Sequence, residues 1–84
     1  LVRPYIEEGN IRTFPSEIDE STLVWHRDKE TRLVTVIEGS GWKFQFDNAL
    51  PFDIFPGKKF SIEKMVYHRL LKGSTSLTLK IEKQ

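Results

Sequence analysis

Two histidines and one aspartate carry most of the chemistry open to this chain. His26 and Asp28 stand two positions apart, and His68 is the only other histidine. On a strand, side chains at i and i+2 share a face, about 6.6 Å apart along the backbone. The apolar run Leu23-Val24-Trp25 leads into His26 and predicts such a strand over His26-Arg27-Asp28. A third group from a neighbouring strand, His68, then closes a two-histidine, one-carboxylate set. That set leaves coordination positions open and suits a redox-active divalent metal such as Fe(II). If the three converge, metal-dependent oxygen or isomerase chemistry follows. If they do not, the residues describe a small β-domain and nothing more.

The elements that must position these groups read as β almost throughout. Arg32 to Ile37 is rich in β-branched residues, and Trp42 to Asp47 alternates as a half-buried strand does. Gly39-Ser40-Gly41 between them is a tight-turn signal, and Asp47-Asn48 starts another turn. Leu50 to Ile54 alternates again, with Pro51 favouring an edge. Pro56-Gly57 breaks the chain, and Phe60-Ser61-Ile62 is a short strand. Val66 to Leu71 and Ser76 to Glu82 follow, separated by Gly73-Ser74-Thr75. Asn10 to Phe14 adds a strand bounded by Pro4 and Pro15. Seven or eight short strands joined by turns imply a sandwich or barrel.

Length and composition narrow the function classes. At 84 residues the chain is expected to form one domain over residues 1–84. There is no Cys, which excludes a disulfide framework and thiolate ligands and fits a reducing, cytoplasmic setting. The formal net charge is +1 with both signs mixed, so no nucleic-acid arm is expected. No apolar run is long enough to span a bilayer as a helix, and no membrane role is expected. Leu23-Val24-Trp25 and Leu33 to Ile37 are apolar on both faces. A second copy of the chain is the simplest cover, so a homodimer is expected.

The stretch from Trp25 to His68 resembles the two motifs of the cupin family. The first motif runs His-x-His, three or four residues, Glu, six residues, Gly. Here His26, Asp28, Arg32 and Gly39 stand at those places. The second runs Gly, five residues, Pro-x-Gly, two residues, His. Here Gly57, Glu63, Met65 and His68 stand there. The segment Trp25 to Arg32 also looks like that of small cupin-like proteins found in marine phage genomes, a likeness that implies no activity. The resemblance implies a small antiparallel β-barrel, or double-stranded β-helix. It implies a divalent metal held by His26, Asp28 and His68. Arg32 departs from the pattern, because a guanidinium offers only donors and cannot ligate. The His-x-Asp…His set is similar to the iron triad of 2-oxoglutarate oxygenases, which need a cation for the cosubstrate's far carboxylate. Arg32, Arg69 and Lys80 are the available cations, and no spacing singles one out.

The remaining residues are read against blander roles. Arg32 shares strand parity with Val34 and Val36; with that face lining the barrel it points inward and needs a partner there, and the alternative is a surface arginine at a strand end. That partner is either Asp28 or a small anionic ligand. Gln45 shares parity with Lys43 and Asp47 and faces water. Trp25, Trp42, Phe44, Phe46, Phe52 and Phe60 are core or dimer contacts, with a sugar-stacking role open for Trp42. Tyr67 points away from the His68 face, and Lys58-Lys59 is a solvated pair. No serine lies in a nucleophile-elbow context, and no glycine loop cradles phosphate. Two functions stand at this point. One is a small metal-binding cupin acting on an anionic ligand. The other is a metal-free module binding a sugar or peptide, or a purely structural dimer.

Overall fold

The structure is a computed structural model and describes residues 4–84. Its strands are β1 (Ile6–Glu8), β2 (Ile11–Phe14), β3 (Arg32–Glu38), β4 (Lys43–Phe46), β5 (Phe52–Asp53), β6 (Lys59–Ile62), β7 (His68–Leu71) and β8 (Leu77–Lys83). A single 3-10 turn at Glu20–Thr22 is capped by the Asp19 side chain, which accepts from the Ser21 N–H. No α-helix occurs among the described residues, and no helix is long and apolar enough to cross a membrane. The predicted all-β antiparallel architecture is therefore what forms.

The strands make a five-stranded sheet in the order β1-β2-β8-β3-β6 and a three-stranded sheet in the order β5-β4-β7. Every pairing is antiparallel. Residues opposite one another in a ladder share a face. Arg12 stands opposite Leu79 and Phe14 opposite Leu77. Across the next ladder Val34 meets Ile81 and Val36 meets Leu79. These alternate residues form one inward face, and Phe14, Val34, Val36, Leu77 and Leu79 are all buried. Phe44 of the other sheet meets them, with Trp42 just before β4 and Ile54 just after β5. The β3–β8 register shifts between Val36 and Glu38, and this bulge leaves Ile37 exposed.

Trp42 closes one end of this core. It is fully buried, and its indole N–H donates to the Thr75 carbonyl at 2.8 Å. Complete burial removes the sugar-stacking role considered for it, since no ring face is open to a ligand. Gly73 lies against the same ring. A Cβ there would collide with the Ser40 carbonyl and the Trp42 indole, so only glycine fits.

Several expected elements are shorter than their apolar patterns suggest. Leu50 to Ile54 yields only Phe52–Asp53, an edge strand paired with β4 alone. β7 begins at His68: the turn falls at Lys64-Met65, and Val66 and Tyr67 after it are not part of a strand. The strand expected over His26-Arg27-Asp28 does not form: only His26 pairs, in an isolated bridge to His68. β1 was not foreseen; with three residues, all exposed, it has no hydrophobic period to read.

Candidate metal centre

His68 opens β7, and its ring lies on the inner face of the smaller sheet. The ladder sets it opposite Phe46 on β4. The Phe44 ring stacks on the imidazole, with centroids 5.4 Å apart and planes within 16°. Phe44 itself is pinned by Phe46, Phe52 and Phe60, at 4.7–5.7 Å between centroids. The ring therefore sits on an aromatic floor and is buried.

His26 and Asp28 arrive on the segment between the 3-10 turn and β3. Backbone bonds fasten this segment to β7 and the turn before it. His26 and His68 exchange both of their N–H···O=C bonds, at 3.0 and 2.9 Å. The Met65 N–H donates to the Asp28 carbonyl at 2.7 Å, which Met65 achieves from the left-handed region at φ 66°. A non-glycine residue there carries local strain, and such strain persists where its surroundings enforce it. Alternation survives without a strand. Trp25 and Arg27 point outward, under Arg69 and over Tyr67 respectively, while His26 and Asp28 point inward.

One ligand-type atom from each of His26, Asp28 and His68 lies within 4.8 Å of the others. The His26 and His68 rings meet edge to face, 4.3 Å between centroids. Each imidazole Nδ1 lies within hydrogen-bond reach of the carbonyl two residues back, Val24 at 3.0 Å and Val66 at 2.8 Å. A carbonyl only accepts, so both Nδ1 atoms carry a proton, and a ring that is neutral then presents its lone pair at Nε2. Burial pushes the His68 imidazole below its ordinary pKa of 6.5, and the neighbouring His26 acts in the same direction. The Val66 carbonyl and Asp28 oppose that shift.

Asp28 lies between two partners. Its Oδ2 is 3.3 Å from His68 Nε2, and its Oδ1 is 3.5 Å from an Arg32 terminal nitrogen. Of the two partners considered for Arg32, Asp28 is thus the one observed. The other terminal nitrogen of Arg32 meets Glu30 at 3.3 Å, and Lys83 approaches the same Glu30 oxygen at 3.4 Å. Arg32 Nε is buried and has no hydrogen-bond partner.

These groups line a cavity of about 280 Å³. The walls are apolar, formed by Phe14, Val34, Phe44, Ile62, Leu79 and Ile81 among others. Arg12 and Tyr5 also line it; neither was singled out from the sequence. Parity with the buried Phe14 was the one available signal for Arg12.

Whether a metal fits is a question of donor chemistry. A neutral His68 directs the Nε2 lone pair at a carboxylate oxygen 3.3 Å away. Two acceptors at that distance repel unless a cation or a proton lies between them. Ligand atoms about 2.0–2.2 Å from a shared ion stand roughly 3.0–3.4 Å apart, so this pair already has ligand spacing. His26 is exposed, which leaves the outer side of the site open.

No family model matches the sequence, and no curated protein matches it. Solved structures do match the fold. A protein from Neisseria meningitidis is 16% identical with a TM-score of 0.61, over 95% of this chain and 80% of its own. A cupin-2 domain containing protein from Shewanella frigidimarina is 19% identical with a TM-score of 0.58, over 94% of this chain and 76% of its own. Identities this low speak for the fold alone. The chain thus has a cupin-like fold, a small antiparallel β-barrel with a His-Asp-His group lining its cavity.

Proposed function

We propose that this protein binds one divalent cation through His26, Asp28 and His68 and presents it to a small anionic ligand in the barrel. The observation that carries this reading is the pair of histidines with Nδ1 tied to backbone carbonyls. That arrangement favours one tautomer, as it does for metal-ligating histidines in general, and a ligand-type atom of each histidine lies within 4.8 Å of the other and of Asp28. Two imidazoles and one carboxylate with no sulfur donor favour Fe(II) or a similar ion. When bound, the ion would supply Lewis-acid or oxygen-activating chemistry. The chain's own residues bind, orient and exclude water. Arg32 holds Asp28 in place, and its buried Nε–H is a donor that an anionic ligand could meet.

The test is metal analysis of protein purified without a metal-binding tag. About one equivalent of a divalent ion at neutral pH is expected, weakening as pH falls because protons compete for the imidazoles. Protein that takes up no metal when Fe(II), Mn(II), Zn(II) or Ni(II) is added would end the reading. Arg32→Ala is expected to keep stoichiometric metal while lowering stability by about 1–3 kcal/mol, since the half-buried Asp28 loses a charged partner. Loss of metal in this variant would make Arg32 essential to the site, contrary to its positioning role.

A second reading has an observation of its own. Asp28 already faces a cation in Arg32, and that pairing lowers its need for a metal. The protein would then be a metal-free module that binds its ligand in the same cavity. Metal content separates the two.

The exposed Val24, Trp25, Ile37, Phe55 and Tyr67 keep a homodimer within the proposal. Sedimentation at micromolar concentration should show a species of twice the chain mass. Monomer alone would remove the dimer and leave the site reading intact.

A further inference from the structure

The segment around His26 is an open edge of the smaller sheet. His26 exchanges both backbone bonds with His68, while β4 pairs with the other side of β7. The sheet therefore continues past β7 into this segment, and no turn or bend interrupts it between Val24 and Asp28. In an antiparallel pair, opposed residues alternate between hydrogen-bonded and non-hydrogen-bonded. His26 turns its N–H and C=O toward β7, so Trp25 and Arg27 turn theirs the other way. Among the described residues, neither Trp25 nor Arg27 has a backbone hydrogen-bond partner. Such an edge is a ready template for another chain.

The outward side chains along this edge alternate in kind. The His26–His68 register sets Trp25 opposite Arg69 and Arg27 opposite Tyr67. Both pairs are in contact. The Arg69 guanidinium carbon lies 4.6 Å from the Trp25 ring centroid, and that of Arg27 lies 5.1 Å from the Tyr67 centroid. Trp25 and Tyr67 nonetheless stay 40% and 42% exposed. One row across the sheet thus ends in a ring at the edge, Trp25. The next ends in a cation, Arg27. A ring and a cation side by side along one edge are complementary to themselves under a two-fold axis.

We infer that a second copy of the chain pairs antiparallel with this edge, about a two-fold axis at His26. The inference names the contact for the homodimer proposed above and rests on that reading. Trp25 then exchanges backbone bonds with the partner's Arg27, and Arg27 with the partner's Trp25. Each row runs Arg69, Trp25, the partner's Arg27, the partner's Tyr67. Charge sets the register. An axis through Trp25 puts ring on ring and Arg27 against the partner's Leu23. An axis through Arg27 puts that cation against itself. The axis at His26 seats every cation on a ring. It also sets His26 opposite the partner's His26, so the two candidate metal centres lie side by side.

The test is complementation between two variants, read by sedimentation velocity. Trp25→Arg sets cation against cation in both rows. Arg27→Glu sets a carboxylate against each ring. Alone, each variant should dimerise about tenfold or more weakly than wild type. In the mixture, the introduced arginine meets the introduced carboxylate in one row, and the other row keeps its native pair. A heterodimer of near wild-type affinity should therefore appear. In wild type, the Trp25 and Arg27 amide protons should exchange more slowly as protein concentration rises. That measurement needs no variant and stands if either substitution fails to fold. Variants that dimerise as well as wild type, or a folded mixture that stays monomeric, would overturn the inference. A wild-type dimer whose two edge amides gain no protection would also overturn it, and leave a dimer through another face. Monomeric wild type would remove the dimer altogether and leave the edge to an extended peptide of another protein.

Discussion

His26→Ala and His68→Ala should each strip the protein of stoichiometric metal, and only one of them should cost much stability. Removing a direct ligand is expected to weaken binding by more than the roughly 10–100-fold that loss of an outer-shell partner costs. The two differ in setting. His68 is 3% exposed, stacks on Phe44 and bonds the Val66 carbonyl. Its truncation leaves a cavity and an unpartnered carbonyl, together about 2–4 kcal/mol. His26 is exposed, so its truncation should stay within about 1 kcal/mol. The measurement is metal per folded chain after dialysis, with melting followed in parallel. Wild-type metal content in a folded His26→Ala protein would show that His26 is no ligand.

Trp42→Ala should be the most damaging single change in the core. The side chain is fully buried, and tryptophan truncations cost about 3–5 kcal/mol. It also strands the Thr75 carbonyl that accepts from the indole N–H. A domain of this length holds roughly 4–12 kcal/mol in total, so the variant stands near its unfolding limit. Urea titration should show a midpoint far below wild type with an unchanged slope. A midpoint shift worth less than about 1 kcal/mol would mean that the Trp42 end of the core is loosely packed in solution.

The sequence made the strand rhythm legible where one face is buried. Arg32, Val34 and Val36 share parity, and they do face inward together. Trp42 to Phe46 alternates because Phe44 is core while Lys43 and Gln45 face out, and Gln45 bonds to Arg69 there. The segment before β3 departs from its strand-like pattern for a physical reason. Leu23-Val24-Trp25 has β-forming composition, yet no neighbouring strand runs alongside to pair with it, and a single bridge at His26 is all that forms. Parity was still enough to bring His26 and Asp28 to one side. The presence of Arg12 in the cavity wall was not legible. Its place depends on β2 pairing with β8, some seventy residues distant in sequence, and no local pattern encodes that pairing. Glu7 and Tyr5, which fix the side chain, lie in and beside the three-residue β1, an element too short to announce itself.

The reciprocal bridge between His26 and His68 has a kinetic meaning. Each ring belongs to a residue whose amide proton is buried in the other's carbonyl, so site and bridge open together. Exchange of those two protons with deuterium therefore clocks how often the segment around His26 lifts away from β7. Such local openings cost less than global unfolding, and a ligand specific to the closed form adds its binding free energy to that cost. Two backbone amides thus serve as a native gauge of the integrity of this site, readable without any knowledge of what fills it.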